Sequence, residues 1–391
     1  MLQVGRKLAI TTLIGAVLVG AVAGCAGDQQ RPAAAGAPIR IGALVPLSGT
    51  NAQSGREMRD GAQLAVTEAN DAGGVLGRKV ELIVGDDGCD PGTAVVEANR
   101  LVEQDIAVSV GGYCSSATVP TLRIFRAAGI PMVIALSNST DLLKPGYDSI
   151  FLISGTVAAE GVFALSWMRR LGSKRLAIVH DGTSFPVTLA EAAATSAAKP
   201  DSGVTLVGQF ALSQGASNYT RIAGQIIDSG SDTVYFTGYY GEANRLILDL
   251  RAPGYAGKII VGDGSADLPL LRGLTQGQSK NVYGTALMVP ELMPGLADWS
   301  ARFAAATGRA PASSAPEAYD AVRLAIDAIR RAGSIGHEAV RQALAATTDL
   351  ELLSGRVHFN ADGTRTNPTF LFLAVRDGYF TEISSAPSSA P

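Results

Sequence analysis

The segment VELIVGDDGCDPGTAVVEANRLVEQDIAVSVGGYCSSATVP, residues 80–120, decides the fold because it alternates between two patterns. Its short apolar runs, at residues 80–84 and 106–111, are typical of strands buried on both faces. Residues 93–104 between them have helical spacing, and a second helix is predicted after Ser115. Strand, helix and strand in this order predict a parallel sheet with helices packed on it.

The same alternation continues along the rest of the chain. Outside the segment it predicts a helix at residues 57–72 and strands at 39–45, 130–135, 175–179, 205–210, 233–237 and 258–261. The tail differs, with predicted helices at residues 298–307, 316–332 and 337–346 and strands at 356–359 and 369–375. Such a tail has to return to sheets that are already built, so we expect chain crossings between two lobes.

The predicted fold class is α/β, with two doubly wound parallel-sheet lobes joined by a multi-crossover hinge and separated by a cleft. We expect residues 39–154 plus 288–353 to form the first lobe and residues 155–287 plus 354–384 to form the second. Residues 385–391 are expected to be a disordered tail.

The first 25 residues have the layout of a secretory signal. Arg6 and Lys7 precede a nearly uncharged run, residues 8–23, which is short for a transmembrane span. The run ends in Val-Ala-Gly-Cys25, which resembles the lipobox of bacterial lipoproteins and implies a lipid on Cys25; the alternative is a plain signal with an incidental cysteine. Residues 26–38 are rich in Ala, Gly and Pro and predict a flexible tether. We therefore expect an exported protein, anchored by lipid and facing the periplasm or the cell exterior.

Composition and missing motifs narrow the function. The net charge is −3, from 32 basic and 35 acidic residues without a long run of one sign, so no nucleic-acid partner is indicated. Nucleophile elbows, phosphate loops, dinucleotide fingerprints and HExxH helices do not occur, which disfavours an enzyme. The three histidines, His180, His337 and His358, are scattered, so no metal site and no cofactor are expected.

Two cysteines remain after Cys25, and Cys89 with Cys114 is the obvious disulfide in an exported chain. Near the first lies an acidic cluster, Asp86, Asp87 and Asp90. These residues could suggest a cation site, but ending a strand and capping the helix that begins at Pro91 is the favoured role.

Two strand ends of the first lobe carry hydroxyl groups. Ser115, Ser116 and Thr118 follow one strand, and Ser137, Asn138, Ser139 and Thr140 follow another. The N-terminus of a helix presents free N–H groups, so each end suits a carboxylate, although Ser and Thr also cap helices without binding anything.

The second lobe offers groups of the opposite kind. Asp263 ends a predicted strand between glycines and could accept hydrogen bonds from an ammonium group; alone it could equally be a turn residue. Tyr239 and Phe185 also follow strands of this lobe and could present a phenol or a ring face to a cation. A carboxylate site facing an ammonium site indicates an α-amino acid pocket.

With these motifs the chain resembles the type I periplasmic binding proteins of the branched-chain amino acid transport class, from about Ile39 to the C-terminal strands. The resemblance is carried by the segments PLSG (46–49), DDGCDP (86–91), GYCSS (112–116), IVHD (178–181) and VYFTGY (234–239). It implies a disulfide between Cys89 and Cys114.

The resemblance also implies roles for site residues. The ligand's carboxylate would be held by Ser115, beside Cys114, and by the loop of Leu136, Ser137 and Asn138. Its ammonium would be held by Asp263 and framed by Tyr239, with Phe185 as an aromatic wall.

Ser54 and Ser314 stand where leucine-type binders place pocket aromatics, so the expected ligand is a branched-chain amino acid or a more polar relative. The implied function is capture of an amino acid or similar small polar solute by a monomer that delivers it to an ABC permease. The alternative is a receptor that feeds a signalling system, with an amide or small organic acid as ligand.

Overall fold

The fold is described from a computed structural model, which covers residues 36–383. The predicted signal peptide with Cys25, nearly all of the predicted tether and the predicted tail at residues 385–391 lie outside the described residues. Within the described range, no helix combines the length and the apolar character needed to cross a membrane.

Fourteen strands occur within residues 36–383, in two sheets and one short hairpin. In chain order they are β1 (Ile39–Val45), β2 (Val80–Asp86), β3 (Val108–Gly111), β4 (Met132–Ile134), β5 (Ile150–Leu152), β6 (Arg175–His180), β7 (Thr205–Ala211), β8 (Thr233–Phe236), β9 (Lys258–Val261), β10 (Val282–Ala286), β11 (Leu350–Leu352), β12 (Gly355–Val357), β13 (Leu371–Arg376) and β14 (Tyr379–Glu382).

The helices connect these strands and cover the sheets. They are α1 (Ala52–Asp71), α2 (Pro91–Glu103), α3 (Ser115–Ala127), α4 (Val157–Arg170), α5 (Ser184–Ala197), α6 (Thr220–Asp228), α7 (Tyr240–Arg251), α8 (Gln276–Ser279), α9 (Ala297–Thr307), α10 (Ala315–Ala332) and α11 (His337–Ala345). The predicted helix at 57–72 begins five residues earlier, at Ala52.

The two sheets confirm the α/β prediction. The first has the order β2-β1-β3-β4-β5 with all neighbours parallel. The second has the order β14-β13-β10-β9-β8-β6-β7 and is parallel from β10 to β7.

The second sheet also has an antiparallel edge. β13 pairs antiparallel with β10, and β14 pairs antiparallel with β13. The tail returns as a tight hairpin whose turn contains Asp377 and Gly378, both at positive φ. Since a short turn can join only antiparallel strands, the last two strands extend the sheet in that sense.

Three hydrophobic cores fill the spaces between layers. One lies between the first sheet and α1, α9, α10 and α11. A second is shared by α2 and α3 of the first lobe and α4 and α5 of the second. The third lies between the second sheet and α6 and α7. The shared core keeps the two lobes in contact on one side of the cleft.

The chain crosses between the lobes three times, after β5, after β10 and after β12. Arg365, on the crossing after β12, donates from its guanidinium to the carbonyl oxygen of Ile153 on the crossing after β5 and to that of Ser354 in the turn between β11 and β12. Asp320 of α10 accepts from the backbone N–H groups of Leu353 and Ser354. These bonds define the hinge. The lobe boundaries expected from the sequence stay predictions; the strand β12, placed in the second lobe, contributes Val357 to the core of the first.

The turn after β3 explains the local geometry around α3. Gly111 has φ 108°, and a Cβ there would lie 2.5 Å from the carbonyl oxygen of Leu44, so only glycine fits. The turn brings the start of α3 against the loop that follows β4, as the hydrogen bond between the hydroxyls of Thr118 and Ser137 shows.

Candidate functional site

A cleft of about 550 Å³, counting the solvent at its mouth, lies between the lobes. Most of its polar lining follows the carboxyl ends of parallel strands, which is where open α/β sheets bind ligands. The lining residues are Ser54, Tyr113, Leu136, Asn138, Phe185, Tyr239, Asp263, Gly264, Ala266, Asp267, Ala286, Leu287, Met288, Ser313, Ser314 and Glu317.

The structure brings together seven of the ten residues predicted to bind ligand. Those that line the cleft are Ser54, Leu136, Asn138, Phe185, Tyr239, Asp263 and Ser314. Cys114, Ser115 and Ser137 are buried close by but are not part of the lining.

The three remaining residues bind other protein groups. The Ser115 hydroxyl accepts from the backbone N–H of Ser139 over 3.3 Å, and the Ser137 hydroxyl is 2.8 Å from that of Thr118. Both bonds tie the α3 turn to the loop after β4. The carboxylate role of Ser115 therefore stays a prediction.

The predicted disulfide is present. Cys89 and Cys114 are bonded, with their Cα atoms 5.4 Å apart. The acidic cluster beside Cys89 has the capping role that the sequence favoured. Asp90 accepts from the Thr93 N–H at the start of α2, and Asp86 accepts from the Leu47 N–H. Within residues 36–383, no group of acidic, His or Cys side chains could hold a metal ion.

Asp263 lies where the two lobes meet. Its Oδ2 accepts from the side-chain amide of Asn138, at 2.8 Å, across the cleft. Its backbone N–H donates to Oε1 of Glu160, which also accepts from the Thr285 hydroxyl. Asp263, on the second lobe, is thereby held in the cleft by Asn138 of the first lobe and by Glu160 of its own lobe.

Glu160 and Asp263 are too close for both to ionise easily. Burial, and then the negative charge of Asp263, raise the pKa of Glu160 well above its ordinary value. Burial raises the pKa of Asp263 to about 6, while hydrogen bonds with Glu160 and Asn138 oppose the shift. Of the two, Asp263 is therefore the more readily ionised, and its carboxylate faces the cleft.

Three aromatic rings form one wall. The ring of Tyr239 lies 5.5 Å from that of Phe185 and 5.9 Å from that of Tyr113, between ring centres. The hydroxyl of Tyr239 is buried and has no hydrogen-bond partner among the described residues. Tyr113 was missed by sequence reasoning, although its position directly before Cys114 was a usable signal.

Glu317, in the first turn of α10, is a second residue that sequence reasoning missed. Its side chain is buried, Oε1 accepts from the Met288 N–H over 3.1 Å, and burial raises its pKa well above the ordinary value. Glutamate is common in the first turn of a helix, where its negative charge interacts favourably with the N-terminus, so the local pattern did not indicate a place in a cleft.

The lobes also touch at the rim of the cleft. The Tyr240 hydroxyl donates to the carbonyl of Thr50 over 2.8 Å, and Arg272 donates to the side chain of Gln53 over 3.0 Å. With the bond between Asn138 and Asp263, these contacts show the two lobes closed on each other.

Comparisons with known proteins find periplasmic binding proteins and amino acid binding proteins. The profile of the family described as periplasmic binding protein matches residues 38–379. An amino acid binding protein of Pseudomonas aeruginosa is 34% identical over 230 residues, which cover 58% of this chain and 61% of that protein. A leucine-, isoleucine-, valine-, threonine-, and alanine-binding protein of the same organism is 28% identical over 337 residues, or 85% of this chain and 88% of that protein.

The solved structures show the same fold. The crystal structure of the branched-chain amino acid transporter substrate binding protein LivJ from Streptococcus pneumoniae, in complex with isoleucine, matches with a TM-score of 0.80 at 23% identity. The match covers 88% of this chain and 99% of that one.

Proposed function

The chain belongs to the periplasmic binding protein family, in its branched-chain amino acid type, and from that premise we propose that it captures an α-amino acid by closing its two lobes. Proteins of this family bind solutes for transporters and are not enzymes, so the protein is a binding protein. The amino acid as ligand, and delivery to an ABC permease, are the proposed part.

The observation that carries the proposal is the position of Asp263. Its carboxylate lies in the cleft, bears the negative charge of a coupled acid pair and is in contact with Asn138 of the opposite lobe. A ligand ammonium beside Asp263 would make a charge-assisted hydrogen bond, and Tyr239 and Tyr113 would place ring faces near the same cation.

Ligand capture is proposed to work through the equilibrium between open and closed lobes. A ligand that contacts Asp263 and the α3 turn together can do so only in the closed arrangement. It then binds that arrangement more tightly than the open one and shifts the population towards it. The permease would recognise the closed form.

We also propose a lipid on Cys25 that holds the protein at the outer face of the membrane, with residues 26–38 as its tether. The residues described as lining the cleft all belong to one copy of the chain, which supports the proposal that the protein works as a monomer. Replacement of Cys25 by serine is expected to release the protein from the membrane fraction.

The test is a thermal-shift and calorimetric screen of the full-length protein, in mild detergent, against the common amino acids, amides and small organic acids. A ligand at 100 times its dissociation constant is expected to stabilise the fold by about 2.7 kcal/mol. Stabilisation by organic acids but by no amino acid would overturn the proposal.

A further inference from the structure

Glu317 is the acidic residue of the cleft that has an unused oxygen. Its side chain is only 2% exposed, and Oε1 is held by the N–H of Met288. The other oxygen, Oε2, is buried without a hydrogen-bond partner among the described residues. A buried polar atom without a partner is costly, so a ligand that supplied a donor there would gain affinity.

The other two acids of the lining, Asp263 and Asp267, have no buried carboxylate oxygen that lacks a hydrogen-bond partner among the described residues. Asp263 accepts from Asn138, and it is the proposed partner of the ligand's ammonium. Asp267 accepts from the backbone N–H of Leu268 at the start of a short helix. Glu317 is thus the acidic residue of the lining whose buried oxygen a ligand side chain could newly satisfy.

The chemistry of the lining decides which side chain fits. Of the sixteen described residues that line the cleft, three are acidic and none is Lys, Arg or His. An acidic side chain on the ligand would meet like charge with no counter-ion. Ser313 and Ser314, which bear hydroxyls, and Met288 line the same cleft as Glu317 and offer polar partners as well as apolar contact.

On the basis of the proposed amino acid function, we propose that Glu317 selects the ligand's side chain, and that this side chain ends in a nitrogen-borne hydrogen-bond donor. A carboxamide, an ammonium or a guanidinium group satisfies the chemistry. Each would donate to Oε2 of Glu317 and would thereby favour the ionised carboxylate against the effect of burial, while the α-ammonium occupies Asp263. Leucine, isoleucine and valine leave Oε2 without a partner.

A purely structural role predicts a different result for one substitution. If Glu317 only holds the Met288 N–H, the variant Glu317→Gln keeps the acceptor and the volume and binds every ligand like the parent. In the proposed role, the amide oxygen of the new side chain in the variant Glu317→Gln stays with the Met288 N–H and its NH₂ group faces the ligand. The NH₂ group and the ligand's side chain are then both hydrogen-bond donors, so the ligand binds more weakly.

The experiment measures the affinity of the full-length protein for glutamine, asparagine, lysine and arginine, with leucine and glutamate for comparison. At least one of the first four is expected to bind about tenfold or more tightly than leucine, and Glu317→Gln is expected to weaken that ligand by about tenfold or more without changing leucine. Asp263→Asn, as the matched control, is expected to weaken both by a similar factor.

Leucine as the tightest ligand, or an equal loss for all ligands in Glu317→Gln, would overturn the role of Glu317 and leave the proposed function standing. If no amino acid binds the parent, the proposed function itself fails. An unchanged melting temperature of Glu317→Gln verifies that the variant is folded.

Discussion

The side-chain amide of Asn138, on the first lobe, donates a hydrogen bond to the carboxylate of Asp263, on the second, over 2.8 Å. Opening the cleft has to break this bond, because the two residues belong to different lobes. A ligand ammonium that arrives at Asp263 joins the amide as a second donor to a carboxylate that can accept both. The contact between the lobes at Asp263 is thus compatible with the ligand that we propose for the cleft.

Removing the charge of Asp263 is expected to weaken binding. Asp263→Asn keeps the shape but loses the charge-assisted bond to the ammonium, so the affinity for an amino acid falls by about 1 to 3 kcal/mol in isothermal titration calorimetry. Asp267→Asn is the control, since its side chain also lines the cleft but can still cap Leu268. Parent-like binding by Asp263→Asn would place the ammonium elsewhere.

Binding is expected to depend on pH through the same residue. The pKa of Asp263 is raised to about 6 by burial, so the carboxylate is lost as the pH falls through 6, and at pH 5 the affinity should be about tenfold lower than at pH 7.

The stability of the empty protein changes in the opposite direction. The pKa of Asp263 rises from 3.8 on folding, so the folded state holds a proton that the unfolded chain has lost between about pH 4 and 6. This group therefore reduces stability as the pH rises through that window. The variant Asp263→Asn tests the pH dependence of binding, because its ligand affinity should no longer fall between pH 7 and pH 5. If its affinity depends on pH as that of the parent does, another group titrates.

Reduction of the disulfide is expected to destabilise the fold without moving the site far. Cys89 and Cys114 close a loop with a sequence separation of 25, which corresponds to about 3.5 kcal/mol in the chain-entropy model. Urea unfolding of the double variant Cys89→Ser, Cys114→Ser should show this loss, with ligand affinity reduced less than about tenfold at low urea. Equal stability with and without the bond would contradict the estimate.

The sequence predicted those parts of the fold that depend on local pattern. Apolar runs and helix signals located β1, β2 and β3, and the carboxyl ends of strands located Asn138 and Asp263. The sequence did not predict the short strands β5 and β10, the second of which contains Gly284. Segments of three to five residues show too little periodicity to be recognised as strands, and their pairing with neighbouring strands of the sheet defines them.

Glu317 shows more clearly which site residues cannot be predicted from local sequence patterns. Its place in the cleft depends on where α10 starts after the second crossing, which is a matter of packing between elements remote in sequence. The bond to the Met288 N–H joins residues that no helical or strand spacing relates. Tyr113, in contrast, lies in the segment that was already recognised, and only its side-chain direction was missing.

The hinge offers the last prediction. Arg365, on the third crossing, is 6% exposed, and its guanidinium donates to the carbonyl oxygens of Ile153 on the first crossing and of Ser354 and Arg356 in the β11–β12 hairpin. Arg365→Met removes these donors and leaves buried carbonyl oxygens without partners, so the free energy of unfolding should fall by about 2 kcal/mol or more in urea. The lobes should also open more readily, which lowers ligand affinity.

Arg356→Met is the matched control for Arg365. The Arg356 side chain is 71% exposed and pairs with the equally exposed Glu351, so its loss should change stability by no more than about 0.5 kcal/mol. Similar small effects from both substitutions would mean that the crossings are held by their backbone contacts and by Asp320. A large effect of Arg365 alone would identify it as the residue that joins the first and third crossings into one hinge.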